Sequence, residues 1–520
     1  MSKDLGDYQT PLQLVEQVIN CPELSGKTWS RLLEPTCGQG NFIRPFCKLG
    51  NPPIEIHAIE IQDQYVSQVQ KLPVPITVHQ TNIFSLDLKT DLQWVTNGSL
   101  LVIGNPPWVT NAELSITQSH NHPEKTNLKH LQGLDAMTGS SNFDIAEHII
   151  LKLIWELADQ QPTIAVLCKT SVARNILHFA PQAKLPIVFS TIRQLDAKRW
   201  FNAAVDACLL YLELKPNQYN PRTTVYSDLQ TTEPLQVMEH KHGQLIANVT
   251  FHDRVAFLEG KCTLSWRQGL KHDAAPVMEL TLHPDGHWQN KERQSVVVEP
   301  DYIYPLLKSS DLAHEPIDKP RKAVIITQKR LTDDTYELKT TAPLLWKYLS
   351  DHEKVFAKRK SSIYTNKPPF SIFGIGDYSF APYKVAIAGM YKIPRFQAIG
   401  PIQSRPVMCD DTCYFIPCWS PEQAALLATL LNSQVCLDFI NSTIFTDSKR
   451  PITKRLLQRI NLQALLDYIT PDKVLPNAVT IFARLKQGEQ AHWPPSLETL
   501  LHETSASQSE TDHTQSQLSL

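Results

Sequence analysis

Residues 32–42 read Leu-Leu-Glu-Pro-Thr-Cys-Gly-Gln-Gly-Asn-Phe, an apolar strand pattern that runs through a glycine-containing turn into a helical pattern. Gly38 and Gly40 let the backbone approach a ligand closely, and the start of the helix favours negative charge. Glu60 ends the next predicted strand about 20 residues later, where nucleotide-binding folds place the acid that holds a ribose diol. The stretch therefore predicts a site for a nucleotide-type cofactor.

The glycine pattern departs from the dinucleotide-binding fingerprint, because Ile43 stands where that fingerprint has its third glycine. This departure argues against NAD or FAD as the ligand. Taken alone, the stretch is also compatible with a tight strand-to-helix turn that binds nothing. A second signal is therefore needed to decide between a site and a turn.

Short apolar runs alternate with helical patterns around this stretch, which is typical of an α/β fold with a mostly parallel sheet. A helix over residues 143–158 is predicted from apolar residues at helical spacing. Strands are predicted at residues 31–33, 54–59, 76–78, 100–103, 164–167 and 207–212.

The second signal is Gly104-Asn105-Pro106-Pro107-Trp108, which follows the apolar run 100–103. Two prolines stiffen the chain and push the preceding residue out of the helical region. The prolines thereby fix a side-chain amide and a carbonyl group at the carboxyl edge of the sheet, beside an aromatic ring. On its own, the segment could also be a proline-rich turn next to a core tryptophan.

Residues 34–40 and 105–108 together resemble motif I and the amino-methylating motif of class I S-adenosylmethionine-dependent methyltransferases. Residues 6–11, 142–145 and 200–206 resemble three further motifs. The motifs follow the order found in gamma-class DNA adenine-N6 methyltransferases of restriction–modification systems. The resemblance covers residues 6–214 and implies a Rossmann-like catalytic domain with S-adenosyl-L-methionine as its cofactor.

The resemblance also assigns site residues. It implies that the cofactor is bound by Thr10, Glu34, Thr36, Gly38, Gly40, Glu60, Asn82 and Ile83. It implies that catalysis depends on Asn105, Pro106, Pro107, Trp108 and Phe201. Asn82 departs from the family, which usually has an acid there to accept a hydrogen bond from the adenine amine of the cofactor. An amide oxygen still accepts that bond without charge assistance. No metal site is predicted.

An exocyclic amine is a poor nucleophile, because its lone pair is delocalised into the ring. If the Asn105 oxygen and the Pro106 carbonyl each accept one amine hydrogen, the lone pair is directed at the sulfonium methyl group. The target base must be flipped out of the duplex to reach this site. Trp108 and Phe201 are expected to stack on its two faces, although Phe201 is also suited to plain core packing.

The second half of the chain interleaves Lys and Arg with aromatic residues, as in Lys329-Arg330 and Tyr378-Ser379-Phe380. Residues 302–308 and 445–453 resemble, more weakly, segments of target-recognition regions. We therefore predict a catalytic domain at 1–220, a mixed α+β target-recognition domain at 245–470 and a disordered polar tail at 500–520. The long connection 109–141 is predicted to contact DNA.

Composition agrees with a soluble protein: the net charge is −2, and no apolar run approaches the ~18 residues that a membrane span needs. The first ten residues contain no apolar h-region, so no secretory signal is expected, and the ten cysteines contain no C-x-x-C pair. We expect a cytoplasmic, nucleoid-associated enzyme that acts on double-stranded DNA, with no membrane partner and no nuclease domain of its own. A separate restriction endonuclease would be its functional counterpart.

Several alternatives remain open at this point. The same motif suits methylation of cytosine N4, of an RNA base or of a protein glutamine amide. Asn105 disfavours cytosine N4, where serine is more typical of the first motif position. A non-catalytic DNA-specificity subunit that kept the fold is a further alternative, against which the intact motif 105–108 argues.

Overall fold

The computed structural model describes residues 9–48, 52–109, 144–314 and 321–502. The chain forms two compact units, residues 1–250 and residues 251–519. Several expectations lie outside the described residues: the start of the segment 6–11, residues 142 and 143, nearly all of the connection 109–141, and residues 503–520 of the tail.

The first unit is built on one sheet of ten strands. Its order is β10-β9-β8-β6-β7-β5-β4-β1-β2-β3. The strands are β1 (Arg31–Glu34), β2 (Glu55–Glu60), β3 (Ile76–Gln80), β4 (Leu100–Gly104), β5 (Thr163–Lys169), β6 (Ile187–Leu195), β7 (Ala207–Leu214), β8 (Arg222–Tyr226), β9 (Gln236–Lys241) and β10 (Gln244–Ile246). All six predicted strands are present, and the α/β fold is confirmed; five of the nine strand pairings in this sheet are parallel and four are antiparallel.

Strands β1 to β5 are parallel, and β7 lies antiparallel between β5 and β6. Every residue of β1 and β4 is buried, which is typical of central strands covered on both faces. The chain leaves β1 toward β2 and β3 and then returns to β4 on the other side of β1. Ligands of open α/β sheets bind at such a reversal of strand order, outside the carboxyl ends of the strands.

The helices of this unit are α1 (Leu12–Ile19), α2 (Asp63–Val69), α3 (Ile145–Leu157), α4 (Thr170–Phe179), α5 (Ala197–Phe201) and, at the boundary, α6 (Val249–His252). Short 3-10 helices occur at Arg44–Lys48, Ile83–Ser85 and Ala158–Gln160. Helix α3 matches the predicted helix 143–158 over its described residues. Strand β6 and helix α4 were not predicted.

The first unit extends beyond its predicted end near residue 220. Strand β8 pairs in parallel with β6, and β9 and β10 continue the same sheet. The prolines and asparagines at 215–223 form only a loop between β7 and β8. The boundary therefore lies at Thr250, because a local break in pattern does not reveal strand pairing.

The second unit contains two sheets. One has the order β11-β20-β17-β18, and the other has the order β14-β13-β12-β16-β15-β19. The strands are β11 (Arg267–Gln268), β12 (Glu279–Leu282), β13 (Trp288–Gln289), β14 (Ser295–Val296), β15 (Ile303–Leu307), β16 (Lys322–Ile325), β17 (Tyr383–Ala388), β18 (Phe396–Ile399), β19 (Met408–Cys409) and β20 (Cys413–Cys418).

Its helices are α7 (Ala275–Met278), α8 (Ser309–Leu312), α9 (Leu338–Thr341), α10 (Pro343–Asp351), α11 (Glu353–Ala357), α12 (Pro421–Leu431), α13 (Gln434–Thr443), α14 (Lys454–Leu457), α15 (Leu462–Ile469) and α16 (Pro471–Leu485). Further 3-10 helices occur at Ala256–Leu258, Pro300–Tyr302, Thr335–Glu337, Ser362–Tyr364, Asp377–Phe380 and Leu497–Leu501. The unit is thus mixed α+β, and it continues past residue 470.

Separate apolar clusters form the cores of the two sheets. Leu500 and Leu501 are buried in the core beside α12, so a polar tail cannot begin at residue 500. In the described part of the chain, no single helix is long and apolar enough to cross a membrane; α12 and α13 together, bent by 60°, pass by length and composition only.

Candidate active site

The turn after β1 carries the glycines that the sequence singled out. Gly38 and Gly40 have φ of +49° and +71°, a region that side chains rarely adopt. A Cβ atom on Gly38 would lie 2.6 Å from Nε2 of Gln9. The positive φ angles therefore favour glycine at both positions of the turn.

Glu60, at the end of β2, fastens this turn to the sheet. Its Oε2 accepts a hydrogen bond from the Gly38 N–H at 2.8 Å, and its Oε1 accepts from the N–H groups of Ile61 and Gln62, both at 2.8 Å. The carboxylate also lines the pocket at this edge of the sheet. It therefore organises the turn as well as facing any ligand.

Glu34 and Thr36 place buried oxygen atoms in the wall of the same pocket. Within the described residues, Oε2 of Glu34 and Oγ1 of Thr36 are buried without a hydrogen-bond partner. Burial raises the pKa of the Glu34 carboxyl well above its usual range, and the nearby Glu60 raises it further, against a hydrogen bond from the Phe42 backbone. A buried acid of this kind is suited to a cationic ligand group.

Asn105 lies directly after β4, across the reversal of strand order from the glycine turn. Its Nδ2 donates a hydrogen bond to Oγ1 of Thr10 at 3.2 Å, while Nδ2 of Asn41 donates to the Thr10 carbonyl at 2.9 Å. Gln9 accepts from the Gln39 N–H at 3.1 Å. The segment before α1 thus joins the glycine turn to the Asn-Pro-Pro-Trp motif.

Trp108 and Phe201 are neighbours, but not in the expected arrangement. Their ring centroids lie 5.0 Å apart with an interplanar angle of 70°, an edge-to-face contact. A base stacked between two rings requires roughly 7 Å between them, twice the usual contact distance. Both rings are buried in the apolar core of the unit. In this structure the two rings pack against each other, so stacking of a base between them stays a prediction that requires the rings to separate.

Asn82 follows β3 and caps the short helix Ile83–Ser85. Its Oδ1 accepts a hydrogen bond from the Phe84 N–H at 3.0 Å. The same oxygen was expected to accept from a ligand amine, and a carbonyl oxygen has a second lone pair for that purpose. Ile83 and Phe84 add apolar surface to this side of the pocket.

The start of α3 closes the apolar wall of the pocket. Asp144 caps the helix by accepting from the Ala146 N–H at 3.1 Å, and Nζ of Lys169 lies 2.7 Å from its Oδ2. The Ile145 N–H donates to the Val109 carbonyl at 3.0 Å. This bond brings the end of the Asn-Pro-Pro-Trp motif beside α3.

One pocket collects most of the predicted site. Among the predicted residues, those lining it are Thr10, Glu34, Thr36, Gly38, Glu60, Asn82, Ile83, Asn105 and Pro107. Gly40, Pro106, Trp108 and Phe201 are not among the lining residues. Gly40 instead packs its backbone against α2, where a Cβ atom would lie 3.0 Å from Val69.

Sequence reasoning missed the apolar wall and the ion pair behind it. Phe84, Val109, Ile145 and Ile149 line the pocket, and Lys169 anchors the cap of α3. Position was the available signal for three of them, since Phe84 and Val109 follow strands and Ile145 begins a helix at the carboxyl edge. Apolar residues there look like ordinary core residues until the fold brings them together.

The strand order with antiparallel β7, together with this pocket, defines a class I methyltransferase fold. No protein-family model matches the chain. The type II methyltransferase M.NspV of Nostoc sp. (strain ATCC 29411 / PCC 7524) is 36% identical over 477 residues, which cover 90% of this chain and 98% of that protein. The solved structure of the type IIL restriction–modification enzyme MmeI in complex with DNA is similar in fold, with a TM-score of 0.54 and 13% identity over 94% of this chain and 75% of that one.

The chain therefore belongs to the type II methyltransferases, the DNA methyltransferases of restriction–modification systems. The methyl donor of this family is S-adenosyl-L-methionine. The residues present fit that molecule: among the described residues, Glu34 and Thr36 each have a buried oxygen without a hydrogen-bond partner, which suits a charged group, and the apolar wall suits a ring. The predicted cofactor is thus confirmed.

Proposed function

We propose that this protein is a site-specific DNA methyltransferase that modifies the N6 amine of an adenine flipped out of double-stranded DNA. The observation that carries the proposal is the position of Asn105 in the same pocket as Glu34, braced by Pro106 and Pro107. The alternative methyltransferases differ in the amine that enters this pocket, not in the pocket itself.

In this proposal, different pocket residues bind different parts of the cofactor. Glu34 and Thr36 hold the methionine end, Glu60 binds the ribose diol, and Asn82 and Ile83 hold the adenine ring. Gly38 lets the backbone come close, and Thr10 closes the site. When bound, the cofactor would supply an electrophilic methyl group attached to its positively charged sulfur. Loss of the methyl group leaves that sulfur neutral.

Asn105 and Pro106 prepare the attacking amine. Because Thr10 binds the Nδ2 group of Asn105, the amide has a fixed orientation and presents its oxygen as an acceptor. The Asn105 oxygen and the Pro106 carbonyl accept one amine hydrogen each, which draws the nitrogen toward tetrahedral geometry. Positioning supplies most of the rate in such a site, and no charged base is required before the new N–C bond forms; the methylated amine then loses one proton to water.

Modified-base sequencing tests the proposal directly. DNA from a host expressing the chain is expected to carry N6-methyladenine in one sequence context. Methylation at cytosine N4, or on RNA or protein alone, would contradict the adenine assignment while leaving the methyltransferase class intact.

Asn105→Ala tests the catalytic assignment. We expect methyl transfer to fall by at least about 100-fold, because positioning of the amine is lost. Cofactor binding by calorimetry and DNA binding by gel shift are expected to change little. Asn220→Ala, in the loop before β8, is the control and should transfer methyl groups at the wild-type rate. Near wild-type transfer by Asn105→Ala would refute the assignment.

A further inference from the structure

The loop after β16 holds its backbone in one conformation. Oδ2 of Asp333 accepts hydrogen bonds from the N–H groups of Lys329 and Arg330, both at 2.9 Å. Nε2 of Gln328 donates to the Arg330 carbonyl at 2.9 Å, and its Oε1 accepts from the Ile372 N–H at 3.2 Å. Both the N–H and the carbonyl of Arg330 are therefore fixed.

The side chain of Arg330 is fixed as well, although it is 62% exposed. Its Nε donates to Oδ1 of Asp377 at 3.1 Å, and its Nη2 donates to Oδ2 at 2.9 Å. Asp377 begins the 3-10 helix Asp377–Phe380. Solvent-exposed ion pairs add little to stability, so stability does not account for the two-point contact between the Arg330 guanidinium group and Asp377.

The contact with Asp377 uses only one edge of the guanidinium group. A guanidinium has five N–H groups in a planar fork, and Asp377 takes those of Nε and one of Nη2. Within the described residues, no hydrogen bond from Nη1 is found. The edge formed by Nη1 and the outer N–H of Nη2 is thus directed away from Asp377 as a pair of parallel donors.

A pair of parallel arginine donors matches the O6 and N7 acceptors of guanine in the major groove. A phosphate contact requires charge but no such orientation, and it carries no sequence information. The loop also bears Lys329 and lies in the unit whose basic and aromatic runs the sequence singled out.

We propose that Arg330 reads a guanine of the DNA recognition sequence through its free edge, and that Asp377 is the positioning residue that aims it. This inference rests on the proposed function, since it requires a DNA substrate with a defined site. Beyond the proposed function, the inference names the residue that selects one base of the DNA recognition sequence.

The test is methylation by the full-length chain and its variants, measured on duplexes in which each base pair of the recognition sequence is replaced in turn. Arg330→Ala is expected to lower the preference for guanine at one position about 10- to 100-fold. Preferences at the other positions should stay within about twofold. Arg330→Lys keeps the charge but not the fork, so it should lose the same preference. Asp377→Asn should lose part of the preference for guanine at that same position.

Arg405→Ala is the matched control. Arg405 also pairs with an aspartate of this unit, since Nη2 lies 3.1 Å from Oδ1 of Asp301, but its Nη1 already donates to the Ile303 carbonyl at 3.2 Å. The base preferences of Arg405→Ala should match those of the wild type.

Three results would overturn the inference while the proposed function stands. They are a recognition sequence without guanine in either strand, unchanged base preferences in Arg330→Ala, and an equal loss on every duplex, which would indicate a backbone contact or a structural role. If the wild-type chain methylates no DNA, the proposed function itself fails.

Discussion

The buried Glu34 carboxyl group lowers the stability of the free protein, and the same burial suits it to binding a cationic group. Its carboxyl is buried, and burial raises its pKa well above the usual range. An acid with a raised pKa in the folded state loses its contribution to stability as the pH rises through that value. A bound cation beside the carboxyl group would lower its pKa again. The stability of the protein should therefore depend differently on pH with and without a bound ligand.

Replacing Glu34 by glutamine should separate these two effects. Glu34→Gln is expected to weaken S-adenosyl-L-methionine binding at pH 8 by at least about 10-fold, because one partner of a buried charge pair is lost. The melting temperature of the free protein should not fall. Isothermal titration calorimetry and a thermal melt measure the two quantities.

A cofactor analogue without the α-amino group provides the control for this prediction. It should bind the wild type and Glu34→Gln with equal affinity. If the variant also loses affinity for this analogue, Glu34 does not act through the ammonium group.

Phe201 is a second residue whose role is open to measurement. It packs edge to face on Trp108 in the core, 9% exposed. Phe201→Leu is expected to cost about 1–2 kcal/mol of stability, because a ring contact and some packed volume are lost. If the rings part to stack on a base, methyl transfer should fall more than 10-fold at a temperature where the variant is fully folded. Transfer at the wild-type rate would limit Phe201 to core packing.

Helix α3 shows how one element links the pocket to the scaffold. Its first turn carries the Asp144 cap beside the pocket, and Glu147 on the same turn faces α4. Nδ2 of Asn175, in α4, donates to Oε2 of Glu147 at 3.0 Å. Burial raises the pKa of the Glu147 carboxyl to about 7, Asp144 raises it as well, and the hydrogen bond from Asn175 opposes the rise.

This pKa predicts a pH-dependent contribution of α3 to stability. The Glu147 carboxyl should stabilise the fold fully below its unfolded pKa of about 4.5 and lose that contribution as the pH rises through about 7. Glu147→Gln keeps the acceptor for Asn175 and removes the titration. Its stability relative to the wild type should rise by about 2–3 kcal/mol between pH 5 and pH 8 in urea unfolding.

Glu16→Gln, on an exposed position of α1, is the control for general charge effects. It should differ from the wild type by the same small amount at both pH values. An equal effect of Glu147→Gln at pH 5 and pH 8 would show that this carboxyl does not titrate in the range.

At the scale of the whole molecule, the two units have separate cores, and the first ends thirty residues beyond its predicted end. Arg193 in β6 is buried, and its Nη1 donates to the carbonyls of Asp228 at 3.3 Å and Thr231 at 2.8 Å. The ring of Tyr226 lies 4.0 Å from its guanidinium carbon. A chain cut at residue 220 would leave this buried cation without these partners.

Two fragments test the boundary. Residues 1–250 are expected to fold and bind S-adenosyl-L-methionine, because they contain the complete sheet and the pocket. Residues 1–220 should melt at a much lower temperature or fail to fold, because β6 loses its pairing with β8 and the buried Arg193 keeps Glu23 but loses its other hydrogen-bond partners. Circular dichroism melts and calorimetry provide the comparison. Equal stability of the two fragments would place the boundary back near residue 220.

What the sequence determined by itself was local. Apolar runs predicted the strands, and the glycine and proline motifs predicted the two turns that meet at the reversal of strand order. Residues 34–40 and 105–108 therefore located the pocket, because parallel strands deliver their carboxyl ends to one edge. The resemblance of these motifs also gave the methyltransferase class and its cofactor, which the comparisons confirmed.

Tertiary structure alone decided the rest. The contact between Trp108 and Phe201, the bond from Asn105 to Thr10 and the pairing of β8 with β6 join residues far apart in the chain. Such contacts depend on distances and angles that no local pattern encodes. The rotation of one ring, or the donor edge left open on one arginine, is fixed only when packing selects a single arrangement from many.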